Sequence, residues 1–94
     1  MAEQLNVQLV AVEEKVWSGK AEMVMARTTE GELGVLPGHA PLLGQLAEPG
    51  QVRIKLPGGE QLSYDVAGGF LSVSEQGVTV LAETATPASA VSGN

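Results

Sequence analysis

Few residues in this chain could do chemistry. There is one histidine, no cysteine and no cluster of basic residues. An acyl-transfer site would have to pair His39 with a serine on a sharp strand-to-helix turn, and the Gly-x-Ser-x-Gly pattern that builds such a turn is absent. A metal site needs several His, Cys or carboxylate ligands converging, and His39 has only scattered glutamates for company. His39 therefore reads as a turn or contact residue. The glycines never take the Gly-x4-Gly-Lys-Ser/Thr spacing that wraps a phosphate, and Gly68-Gly69 precedes a strand pattern instead of a helix. That pair is expected to make a bend or bulge that lets Phe70 enter the core. Trp17, beside a turn signal, is expected to pack into the core. No catalytic residue, cofactor site or metal site is expected.

The acidic residues are more informative. Glu13, Glu14, Glu22, Glu30, Glu32, Glu48 and Glu60 fall mostly at turns, where solvated charge is the ordinary state. Glu30 and Glu32 differ because they flank Gly31 at the start of a stretch, residues 30–43, holding three Gly and two Pro among closely spaced apolar residues. Such a composition excludes a helix, since Pro removes a donor and Gly costs backbone entropy. It dictates defined tight turns around one or two short strands. A rigid, charged, partly apolar loop is a docking surface by its chemistry.

The elements around that loop are strands. Over residues 5–12, Leu5, Val7, Leu9 and Ala11 share one face of a pleat and Asn6 and Gln8 the other. Ser18-Gly19 reads as a turn after Val16 and Trp17, with a strand over residues 21–28 whose burial side is ambiguous: Met23, Met25 and Arg27 lie on one face, Glu22, Val24, Ala26 and Thr28 on the other. Residues 51–56 alternate strictly, with Val52, Ile54 and Leu56 inward and Gln51, Arg53 and Lys55 outward. Pro57-Gly58-Gly59 should reverse the chain into a strand over residues 60–66. Two more follow, over residues 70–73 and 78–83, separated by Glu75-Gln76-Gly77. Short strands at this spacing with no sustained helical period indicate an all-β sandwich or barrel.

Composition bounds the function. Ninety-four residues with 44% hydrophobic and 17% charged content suit a single packed domain. Eleven acidic against five basic residues give a net charge of -6, which repels phosphate backbones and anionic lipid headgroups. The absence of cysteine fits a reducing compartment. The start lacks a basic segment followed by an apolar one, and no apolar run approaches the roughly 20 residues needed to span a bilayer. A soluble, cytoplasmic protein is the simplest expectation. Residues 1–85 are expected to form the domain, and residues 86–94, rich in small and polar residues, a flexible tail.

Four segments together carry a family resemblance: Val16-Trp17-Ser18-Gly19-Lys20-Ala21, the run from Glu30 through Gly38-His39-Ala40-Pro41-Leu42-Leu43, Gly68-Gly69-Phe70, and Val78-Thr79-Val80-Leu81-Ala82-Glu83-Thr84-Ala85. In this order the chain resembles the epsilon subunits of bacterial F-type ATP synthases over residues 5–85. The resemblance implies a β-sandwich or flattened barrel of about ten strands. It implies a non-catalytic rotor subunit of the central stalk, peripheral to the cytoplasmic face of the bacterial cell membrane and bound to the gamma subunit and the c-ring. By position, Glu30, Gly31 and Glu32 would face the c-ring, and His39, Ala40, Pro41 and Leu42 the gamma subunit. The sequence departs from the family pattern after Ala85, where many members carry a helical hairpin. This fits either a naturally short form or an N-terminal piece of a longer chain, and neither a regulatory nor an ATP-binding role is assigned. The competing expectation is a prosthetic-group carrier, because lipoyl and biotinyl domains are also small, acidic and all-β. In that reading Lys15, near a turn, would bear the group, although Glu14-Lys15-Val16 matches their attachment motifs poorly.

Overall fold

A computed structural model describes residues 4–12, 14–38 and 40–87. It contains eight strands: β1 (Leu5–Ala11), β2 (Glu14–Ala21), β3 (Met23–Thr28), β4 (Gly31–Val35), β5 (Leu42–Gln45), β6 (Gly50–Lys55), β7 (Gln61–Ser74) and β8 (Gly77–Pro87). They pair in the order β2-β1-β8-β7-β6-β3-β4, with β5 added against β7 off that path. The pairings are antiparallel except that β1 runs parallel to β8, with Val7 beside Val78 and Leu9 beside Val80. The all-β class follows from the sequence as expected.

Alternation decides which side chains meet. Leu5, Val7 and Leu9 point inward and Asn6 and Gln8 outward, and Val52 and Ile54 of β6 are fully enclosed while Lys55 is exposed. The ambiguity of β3 resolves in favour of Val24 and Ala26, which are buried. Met23, Met25 and Arg27 line the outer face. Inward residues from all the strands except β5 join one apolar core, with no polar or charged side chain buried in it among the described residues; Leu42 of β5 packs against it. Removal of this apolar surface from water, at about 25 cal/mol per Å², is what holds the sheet folded over on itself.

Three expectations are corrected. Residues 60–66 and 70–73 form one strand, β7, and not two. In its first half the even residues Tyr64 and Val66 face the core, and in its second half the odd residues Leu71 and Val73 do. The change of phase falls at Gly68 and Gly69, with φ of 69° and 112°, while the pairing register with β8 carries straight through from Ala67–Thr84 to Gly69–Ala82. The glycines thus flip the face without a bulge, and the flip turns Phe70 outward. Phe70 is 48% exposed and not in the core. The described residues form eight strands, against the roughly ten implied by the family resemblance.

Ser18-Gly19 is the second correction, because β2 runs through it and the strand is interrupted only by a bend at Glu22. Gly19 serves packing. A Cβ there would lie 3.0 Å from the Trp17 ring, so the missing side chain leaves room for the indole, which rests against the core half-buried. Third, β8 extends past the expected end at residue 83, pairing Thr86 with Asp65 and Pro87 with Tyr64. Thr86 and Pro87 are therefore strand residues, and residues 88–94 lie outside the described part.

A candidate docking edge at the β3–β4 hairpin

Thr28 and Gly31 face each other as the closing pair of β3 and β4, leaving Thr29 and Glu30 as a two-residue turn. Gly31 has a φ of 119°, a conformation that disfavours any residue with a Cβ. The Thr28 hydroxyl locks the turn from inside: Oγ1 accepts from the Glu30 N–H at 3.2 Å and donates to the Gly31 carbonyl at 2.7 Å. The chain leaving β5 holds it from outside. Thr29 donates to Gln45 O at 2.9 Å, Ala47 donates to Arg27 O at 3.0 Å, and Thr28 bridges Leu46, which is buried. An exposed tip is thus tied at its base to the core.

Glu30, Gly31 and Glu32 are all exposed on this hairpin, as the docking reading requires. Glu32 stands on the outer face of β4, directly opposite Arg27 of β3. Its carboxylate is held from one strand further away, where Arg53 Nη2 of β6 lies 3.1 Å from both Oε1 and Oε2. This is the one ion pair among the described residues. Sequence reasoning placed Arg53 outward but missed its partner, because only the order β4-β3-β6 puts the two strands within reach of each other.

A groove of about 360 Å³ runs between the hairpin and β5, lined by Thr28, Glu30, Gly31, Glu32, Leu33, Leu42, Leu43 and Gly44. Leu42, expected on the gamma side, therefore borders the same groove as the residues expected to meet the ring. Ala40 and Pro41 line a different groove of about 420 Å³, together with Pro37, Gly38, residues 4–6 of the first strand region and the β7–β8 turn. The structure divides the expected gamma set between two grooves, and His39 lies outside the described residues. Outward apolar residues were also missed: Phe70 and Leu81 face each other across β7 and β8, and Leu43 is 72% exposed. A pattern of outward residues on adjacent strands cannot be seen before the strand order is known.

Nothing at these grooves resembles a reaction centre. Among the described residues no three His, Asp or Glu side chains converge, and Lys15 sits in β2 opposite Val10 and not at a hairpin tip. No helix of the described residues is long and apolar enough to cross a membrane. Fold and site define an all-β protein whose exposed hairpin turn is hydrogen-bonded at its base to the packed sheet.

Residues 4–88 match the family described as ATP synthase, Delta/Epsilon chain, beta-sandwich domain, and the chain belongs to that family. It is similar to the ATP synthase epsilon chain of Frankia casuarinae, 60% identical over 81 residues that make up 86% of this chain and 94% of that one. The epsilon chain of Corynebacterium jeikeium is 58% identical over 88 residues, 94% of this chain and 72% of its own. Among solved structures, a chain of the Euglena gracilis mitochondrial ATP synthase, in its OSCP/F1/c-ring assembly, superposes with a TM-score of 0.86 at 28% identity. That match covers 95% of this chain and 56% of the Euglena chain. A chain from the central stalk and c-ring of the Tetrahymena thermophila enzyme shares the fold, with a TM-score of 0.73 at 16% identity, over 90% of this chain and 67% of that one. The carrier reading finds no support among these relatives. The chain is of the epsilon type, a non-catalytic component of ATP synthase.

Proposed function

We propose that this chain is a rotor subunit of the central stalk that joins the gamma subunit to the c-ring at the cytoplasmic face of the bacterial membrane, so that proton flow through the ring is coupled to ATP synthesis. In this reading Glu30, Gly31 and Glu32 meet the polar loops of the ring, while His39, Ala40, Pro41 and Leu42 lie toward gamma. The observation that carries it is the doubly tied β3–β4 hairpin, whose carboxylates are exposed while its base is hydrogen-bonded to the exit of β5. A coupling element must not give under torque, and a hairpin fixed to a packed sheet does not. The net negative charge suits basic loops, with exposed pairs contributing about 0–1 kcal/mol each and apolar contacts supplying the rest. Mixing the chain with purified gamma subunit and c-ring tests the reading by co-elution. Separate elution of all three at low salt would overturn it.

A further inference from the structure

Glu32 is directly opposite Arg27, yet its carboxylate is held by Arg53, two strands away. The backbone makes this possible. Val52 and Ile54 are fully buried, which sends Arg53 to the outer face of β6, where it pairs with Met25 of β3. Met25 in turn pairs with Gly34 of β4, whose missing side chain leaves room for the methyl end of Met23, and the guanidinium reaches across β3 toward Glu32. One nitrogen straddles both carboxylate oxygens at 3.1 Å, while the Glu32 side chain remains 55% exposed and that of Arg53 31%. Each oxygen keeps a further lone pair for an outside donor.

We infer that Arg53 is a positioning residue for docking: it holds the Glu32 carboxylate in a single orientation before the ring arrives. The inference rests on the proposed role of Glu32 as a ring contact. A glutamate on an exposed strand samples many rotamers, and a partner that binds it must freeze them at the expense of affinity. Arg53 freezes them beforehand, and a cationic or N–H donor from the partner then adds to the open side of the carboxylate.

A double-mutant cycle on the full chain, titrated against the purified complex of gamma and c-ring at low salt, tests this. Glu32→Gln should weaken binding; if it does not, Glu32 is no ring contact and the underlying reading fails. Given that loss, Arg53→Ala should weaken binding about threefold to tenfold in the native background and by less than about twofold beside Glu32→Gln, with Arg53→Lys recovering part of the loss. Unchanged or tighter binding by Arg53→Ala would show that Arg53 competes with the ring instead of preparing Glu32 for it. An equal loss in both backgrounds would show that Arg53 acts through the fold or touches the partner itself. Either result overturns the inference while leaving Glu32 as a contact.

Discussion

Phe70 and Leu81 lie directly opposite each other on β7 and β8, and each keeps 48% of its surface in solvent. Their immediate neighbours in the chain, Leu71 and Val80, also form a pair and are fully buried. One step along the pleat therefore separates an outer apolar pair from the centre of the core. Phe70→Ala should cost no more than about 1 kcal/mol, because nearly half of the residue is already in solvent, whereas the fully buried Leu71→Ala should cost about 2–5 kcal/mol. Equilibrium urea denaturation measures both, and an equal loss for the two would place Phe70 inside.

The glycine that sets this phase cannot be replaced. A Cβ on Gly69 would run into the Leu81 carbonyl and the Ala82 Cα of β8, in addition to the strain of a φ of 112°. Gly58, at a φ of 99° in the β6–β7 turn, has open space where its Cβ would go. Gly58→Ala should thus cost only the conformational strain, about 1–2 kcal/mol, while Gly69→Ala should cost several kcal/mol or prevent folding. Thermal unfolding of the two variants side by side gives the comparison.

Gly19→Ala should move Trp17. The added methyl group meets the indole at 3.0 Å, so the ring must shift by a few tenths of an ångström from its place against the core. Because Trp17 is the sole tryptophan, a red-shifted emission maximum reports the displacement directly. The expected loss of stability is about 1–3 kcal/mol, the usual range for overpacking. An unshifted spectrum with unchanged stability would mean that the ring has room to spare.

Thr28→Val should loosen the hairpin tip without unfolding the domain. It removes the hydroxyl that bonds to both the Glu30 N–H and the Gly31 carbonyl, worth about 0.5–1.5 kcal/mol for each bond. Amide exchange at Glu30 should accelerate while exchange in β6 and β7 stays the same. Protection retained at Glu30 would show that the contacts from Gln45 and Ala47 suffice.

Glu32→Lys should leave the isolated fold intact, since the side chain is exposed and its ion pair contributes about 0–1 kcal/mol. The new cation would stand beside both Arg27 and Arg53 and reverse the charge offered to a basic ring loop. Attachment of the chain to the gamma and c-ring complex should fall, and the native interaction should weaken as salt is raised. Full attachment of the variant at low salt would sink the proposed contact.

Much of this was written into local sequence. Val52 and Ile54 alternate with polar and charged neighbours, so their strand and its buried side could be read without coordinates, and the Gly and Pro content of residues 30–43 excluded a helix in favour of turns around short strands. Those features depend on neighbours within a few residues, where pleat periodicity and backbone sterics act. What only the tertiary structure decided depends on strands far apart in the chain. The outward turn of Phe70 comes from a phase change that β7 and β8 make together, the packing role of Gly19 comes from the ring laid over it, and the grip of Arg53 on Glu32 requires β3 to lie between their strands. Local alternation gives each strand two faces, but the choice of neighbour belongs to the folded sheet, because only burial against other strands makes one face cheaper to enclose than the other.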